Sequence, residues 1–349
     1  MSFNSFSDLA CGPKKTVKNL ISVLAANRVP FIQGSPGISK SDVVKEVAKK
    51  FNLELIDIRL SQVEPCDLLG FPFMDGDRSD YKPMKMFPLE TDVLPEGKQG
   101  WLLFFDEFNS ANREVQAASY RIILDREIGS HKLHPNCFMV CAGNKSGDGA
   151  IVNKLSTALQ SRLIHLFMEP SLDDWVDWAI NNNIDSRIIT YLYAKPTHLT
   201  TFDPESNDIS YACPRTWHML SDIISNTTTE ELDELFSVVA GTVGKGAAVE
   251  FISFCKLSSE VPSIQEIVKN PKTAPIPDQI GSKYFLISSI ASVMDKTNVA
   301  KLLEYTDRIP NQELLVLLFR ITAKGKHAKE LINETCYTSR AVKFAKDYS

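Results

Sequence analysis

Gly34-Ser35-Pro36-Gly37-Ile38-Ser39-Lys40-Ser41 follows the apolar run Val29-Pro30-Phe31-Ile32 and opens onto an amphipathic stretch from Asp42 to Phe51. The order is strand, loop, helix, the setting of a phosphate-binding loop. Main-chain N–H groups of such a loop converge on β- and γ-phosphates, and the following helix presents its positive N-terminus. Lys40 adds a point charge, and the Ser41 hydroxyl suits Mg²⁺. One position departs from the pattern: glycine usually precedes the lysine, and here Ser39 does. A Cβ restricts the backbone, so Ser39 either adopts a tolerable geometry or weakens the cradle of N–H groups. Alone, the short motif leaves nucleotide binding and a chance match about equally open.

Composition bounds the class. The chain has 349 residues, 44% hydrophobic and 23% charged, enough to bury a sizeable core and too long for one small domain. A net charge of −5 leaves no global basic footprint, which disfavours nucleic acid as a partner. Seven scattered cysteines without a CxxC pair suit reduced thiols, and His131, His134 and Cys137 lack a fourth ligand for zinc. The N-terminus lacks the pattern of a secretory signal and no apolar run reaches membrane-spanning length, so a cytoplasmic location and no membrane are expected.

Strand and helix signals alternate through the first part of the chain. Leu53–Ile58, Trp101–Phe105, Cys137–Ala142 and Leu163–Phe167 read as further strands, with helices over Asn112–Leu124 and Ile151–Leu159. This is the pattern of a parallel α/β sheet flanked by helices. Residues 61–100 are broken by Pro and Gly into an insertion with little regular structure expected. After Pro170 the spacing turns helical: Asp173–Asn181, Ser186–Tyr193, Pro214–Ser225, Thr229–Val239 and most of Tyr284–Phe344, with a Pro-rich break at Asn270–Pro277.

The strand Trp101–Phe105 ends in Asp106-Glu107. Burying charge is costly, so acids at the carboxyl end of a core strand commonly face a ligand crevice, although acids are also ordinary turn residues. With the loop upstream, Asp106 is placed to hold Mg²⁺ and Glu107 to polarise a water for attack on a γ-phosphate. Val140-Cys141-Ala142-Gly143 ends in Asn144, an uncharged donor and acceptor suited to contacting that phosphate or orienting the water. In isolation, a turn asparagine explains it as well.

The loop, Asp106-Glu107, Asn144, Leu159-Gln160-Ser161-Arg162-Leu163 and Cys213-Pro214-Arg215-Thr216-Trp217 together resemble the AAA+ ATPases, and within them the MoxR-like group, over most of residues 14–225. The resemblance implies a P-loop NTPase core over residues 1–170, with a hairpin at 126–135. An all-α lid over 171–262 and a C-terminal helical region over 263–349 follow. It implies ATP and Mg²⁺ as ligands, Arg162 as an arginine finger given to a neighbouring subunit, and Arg215 as a second sensor in the lid. Ser161 departs from the acid frequent at its position. The insert and hairpin resemble elements that face the pore in related rings. A homo-oligomer, a hexamer, acting as a chaperone on a protein client such as a von Willebrand factor A domain protein is the function implied. A nucleic-acid-associated motor or loader, and a nucleotide-switched scaffold with little hydrolysis, are the alternatives.

Overall fold

The computed structural model describes residues 9–145, 147–148, 153–257 and 261–344. The chain forms two compact units, one of residues 1–171 with 203–206 and one of residues 172–202 with 207–349.

The first unit opens with helix α1 (Pro13–Ala25), whose Val17, Leu20 and Leu24 are buried at helical spacing. Strand β1 (Val29–Gln33), helix α2 (Lys40–Lys50) and strand β2 (Leu53–Arg59) follow. The insertion holds a short helix α3 (Pro65–Leu69) and an antiparallel hairpin, β3 (Phe71–Asp75) with β4 (Arg78–Lys82). After β5 (Gly100–Asp106) come α4 (Arg113–Asp125), the small hairpin β6 (Glu127–Ile128) and β7 (His131–Lys132), then β8 (Cys137–Gly143), α5 (Thr157–Gln160) and β9 (Leu163–Phe167).

The main sheet is wholly parallel, in the order β2-β5-β8-β1-β9. The inner strands β1, β5 and β8 are buried almost throughout, which explains their near-continuous apolar sequences, while the edge strands β2 and β9 are only partly covered. Leu103 and Phe105 pack with Val115 and Ile122 of α4 on one face. Leu102 and Phe104 pack with Leu20 of α1 and Val44 of α2 on the other. Helix α4 starts where expected because the Asn112 side chain accepts a hydrogen bond from Val115 N, a cap for an otherwise orphaned donor.

Two expectations need correction. Residues 61–100 contain more regular structure than their Pro and Gly content suggested. Pro65 occupies the first helical turn of α3, where its missing N–H costs nothing, and Glu64 and Asp67 form a capping box. The β3–β4 hairpin is largely exposed, so it carries no two-sided hydrophobic period to reveal it. Asp80 of β4 accepts hydrogen bonds from Ser130 Oγ at 3.2 and 3.1 Å, which ties this hairpin to β6–β7. The helix expected at Thr229–Val239 begins only at Phe236. Upstream, Thr228 N donates to Glu231 Oε2 at 2.8 Å, and such local side-chain bonds favour turns over helix. Of the short helix expected over Ile151–Leu159, residues 151–152 lie outside the described residues and Thr157–Gln160 is helical.

The second unit is helical: α6 (Leu172–Asn181), α7 (Ser186–Ala194), α8 (Pro214–Ile224), α9 (Phe236–Val243), α10 (Lys245–Lys256), α11 (Ile264–Lys269), α12 (Ile280–Val293), α13 (Val299–Thr306), α14 (Gln312–Lys324), α15 (Ala328–Leu331) and α16 (Thr335–Phe344). One hydrophobic cluster runs from Trp175 to Tyr337 and takes in residues on both sides of position 262. At its centre Tyr191 meets Trp217, Phe251 and Phe254 at ring separations of 5.4–5.6 Å. Among the described residues no helix is long and apolar enough to cross a membrane. Phe104 is fully buried in the middle strand layer, so Phe104→Ala should lower unfolding free energy by about 3–5 kcal/mol, read from the midpoint of urea denaturation.

Candidate nucleotide site

Strand β1 delivers the loop to the carboxyl edge of the sheet. Gln33 pairs with Gly143 of β8 and Arg59 of β2 pairs with Asp106 of β5, so these strand tips share one edge. Gly34 follows where no side chain fits: a Cβ there would lie 2.5 Å from Ile38 Cδ1 and 2.6 Å from Met168 O. The buried Ile38 thus closes the loop on itself from below.

Gly37 has φ 75° and Ser39 φ 72°, ψ 30°, while Ile38 between them has no positive φ. Alternation of handedness turns successive N–H groups to one side, the geometry of an anion-binding nest. Ser39 therefore takes the left-handed conformation that glycine takes at no steric cost, which answers the question left open by the sequence. Lys40 and Ser41 begin α2 and Ser39 takes its N-cap position, so the nest runs directly into the positive end of that helix.

Lys40 Nζ donates to Gly34 O at 2.6 Å, Ser35 O at 2.9 Å and Asn144 Oδ1 at 3.2 Å. Ser41 Oγ donates to Asp106 Oδ2 at 3.1 Å. The structure thus brings Lys40, Ser41, Asp106 and Asn144, from three separate segments, to one place. Glu107 sits at φ 55°, and Ser61 Oγ donates to its Oε2. The positive φ ends the strand at Asp106, whose Oδ1 accepts from Glu107 N at 2.8 Å.

Three contributors escaped the sequence reading. Asn109 is 3% exposed, donates to Asn144 O at 2.7 Å and accepts from Asn144 N at 3.1 Å. Gly143 makes room for it, since a Cβ there would meet Asn109 Oδ1 at 2.2 Å. Ser61, known only as part of the insertion, is the partner of Glu107. Asp57 of β2 completes an acidic group: burial, and next the Asp106 carboxylate, push its carboxyl up from the ordinary range. No pattern of spacing marks Asn109 or Asp57, because both act through neighbours that are remote in sequence. Burial likewise pushes the Cys137 thiol up to about 12 and the Cys141 thiol higher still, so neither is a reactive thiolate.

The donor set fits Mg²⁺: a hydroxyl and a carboxylate in contact are hard oxygen ligands, and Mg²⁺ commonly takes only one or two from protein, with phosphate and water completing its shell. Among the described residues no group of three or more His, Cys, Asp or Glu side chains is disposed to hold a metal.

Neither arginine is a partner in these bonds. Arg162, just beyond α5, donates to Ala158 O at 2.8 Å and Ser161 Oγ at 3.3 Å, with its guanidinium 5.3 Å from the centre of the Tyr120 ring. Arg215 is exposed in the first turn of α8, in the second unit.

The parallel sheet with this loop and paired strand tips has the order of an AAA P-loop NTPase. Residues 30–163 match the AAA domain (dynein-related subfamily). The matched AAA domain starts within β1 and ends at the first residue of β9, so it includes Arg162 and leaves Arg215 outside. Two variants of RuvB from Thermotoga maritima match at 16% and 17% identity, over 88% and 79% of this chain and 91% and 81% of theirs, with TM-scores of 0.40 and 0.38. A proposed ATPase of Cytophaga hutchinsonii matches at 14% identity, over 97% of this chain and 91% of its own, with a TM-score of 0.35. No curated protein matches the chain.

The left-handed Ser39 makes a conformational prediction. Ser39→Gly should hold stability within about 1 kcal/mol of the parent, and Ser39→Val, β-branched at positive φ, should lose about 1–3 kcal/mol in urea unfolding.

Proposed function

We propose that this chain binds ATP with Mg²⁺ and hydrolyses it between the subunits of a homo-oligomeric ring, a hexamer, of the MoxR-like group. The observation that carries this reading is the meeting of Lys40 and Asn144, and of Ser41 and Asp106, at the mouth of a left-handed loop. Gly34, Ser35, Pro36, Gly37, Ile38 and Ser39 wrap the phosphates, with main-chain N–H groups from Ser35, Gly37, Ile38 and Ser39, while Pro36, which has no N–H, shapes the turn and the Gly34 N–H is given to Gly143 O. The Lys40 ammonium exchanges the carbonyls of Gly34 and Ser35 for phosphate oxygens. When bound at Ser41 and Asp106, Mg²⁺ neutralises charge developing on the β- and γ-oxygens. Glu107 takes a proton from the attacking water, whose oxygen bonds to the γ-phosphorus as the bond to the bridging oxygen breaks and ADP leaves with the electron pair. Asn144 orients that water. Arg162 acts on the neighbour's γ-phosphate, which suits an exposed guanidinium resting on an aromatic ring. Arg215 senses the γ-phosphate from the helical unit.

The work done by the ring is remodelling of a protein client, of the kind that carries a von Willebrand factor A domain. The exposed Phe71, Phe73, Met74 and Tyr81 of the β3–β4 hairpin support a protein-facing role, and the net charge of −5 weighs against a nucleic-acid track.

Steady-state phosphate release measured with and without DNA, and with and without a von Willebrand factor A domain protein, tests the reading. Stimulation by the protein alone is expected, and stimulation by DNA alone would overturn the client assignment. Lys40→Ala and Glu107→Gln should each cut turnover by about 10²-fold or more, with Glu107→Gln still binding ATP. Full turnover in either would remove the site assignment. Arg162→Ala should bind nucleotide and fail to hydrolyse it, and mixing it with Glu107→Gln subunits should recover activity.

A further inference from the structure

His165 is a half-buried strand residue with both ring nitrogens engaged. In β9 it pairs with Phe31 of β1, and its ring meets Phe31 edge-on at 5.7 Å. Packing alone would be served by any aromatic residue. The imidazole adds two polar links of opposite sense. Its Nε2 lies 3.1 Å from Gln160 O, an atom that only accepts, so Nε2 carries the hydrogen. Nδ1 is then the lone-pair side, and Gln33 Nε2 donates to it at 3.0 Å.

These links run from Gln33, the last residue of β1, through His165 to Gln160, the last residue of α5. Gln33 immediately precedes Gly34 and the phosphate loop. Gln160 lies two residues before Arg162. The carbonyls at the end of a one-turn helix have no helical partner, so a side-chain donor there fixes where the turn sits. Arg162 leaves from that turn, with its N–H bonded to Leu159 O at 3.1 Å.

We infer that His165 is a positioning residue for trans hydrolysis: it ties the turn that presents Arg162 to the strand that delivers the same subunit's phosphate loop. A subunit's finger is thereby held in register by its own nucleotide site, and the geometry offered to the neighbour depends on the Gln33–His165–Gln160 links. This rests on Arg162 acting on a neighbour's nucleotide.

The test uses His165→Phe, which keeps the ring against Phe31 and removes both hydrogen bonds, and His165→Gln, whose amide can again donate to Gln160 O. His165→Phe should bind a fluorescent ATP analogue within about twofold of the parent while kcat falls about 10-fold or more, since misplacement of a catalytic group by about 1 Å is enough for that. His165→Gln should regain most of the rate. In rings mixed with Glu107→Gln subunits, which keep an intact finger and lack their own hydrolysis, His165→Phe subunits should recover turnover. A residue of purely structural importance would lose affinity along with rate and would not be recovered by a partner subunit. Arg162→Ala is run beside it. Parental kcat in His165→Phe where Arg162→Ala is inactive, or no recovery on mixing where Arg162→Ala recovers, would overturn the inference and leave the finger intact. Parental turnover in Arg162→Ala would overturn the finger, and the inference with it. If His165→Phe fails to fold, Gln33→Met removes the Gln33–His165 link, which ties the turn to β1, leaves the His165–Gln160 bond in place, and should show the same loss of kcat with parental nucleotide binding.

Discussion

The Asn109 amide is the pin on which the site's geometry depends. It is almost wholly buried and answers both main-chain groups of Asn144, one with its oxygen and one with its nitrogen. Buried polar groups left without partners cost about 1–3 kcal/mol each, so the paired arrangement has little freedom to drift. The pin joins the chain leaving β5 to the chain leaving β8, and Phe108 N donating to Ala142 O at 2.8 Å reinforces it. The separation of Asp106 and Glu107 from Asn144 is thereby set. Asn144 in turn receives Lys40, which brings the loop after β1 into the same arrangement.

Charge is arranged around that pin with the same economy. Asp57 and Asp106 lie on neighbouring strands with Glu107 just past the end of β5, and the upward push on Asp57 records first its burial and then the nearby carboxylates. Ser41 and Ser61 each answer one of the two principal carboxylates. Ser61 also begins the segment that leads to α3 and the β3–β4 hairpin, and Asp80 ties that hairpin to β6–β7. The exposed hairpin is thus linked by short covalent and hydrogen-bonded steps to the Glu107 carboxylate.

Legibility in the sequence followed burial. Strands β1, β5 and β8 are readable to within a residue or two because a strand covered on both faces must be apolar throughout, and the half-covered edge strands β2 and β9 because they keep enough apolar residues between turn signals. The loop and Asp106-Glu107 were readable because they interrupt such runs with residues that have few other reasons to stand there. The β3–β4 hairpin was not, since strands exposed on both faces carry no hydrophobic period. The stretch before Phe236 was mistaken for helix because amphipathic spacing does not register the bond between Thr228 and Glu231 that competes with it. Asn109 and His165 were silent for a different reason: their meaning lies in partners 35 residues away in one case and 132 in the other.

The sequence by itself determined a parallel α/β core with a phosphate loop, the acids and the amide that end its strands, and a helical remainder, because local period and the cost of burying charge are written along the chain. Only the tertiary structure decided that Ser39 can stand where glycine is usual, that Asn109 sets the spacing of the strand tips, and that His165 joins the loop's strand to the turn bearing Arg162. Those are matters of backbone handedness and of hydrogen bonds between remote segments, and both come into being only when the sheet has closed its register.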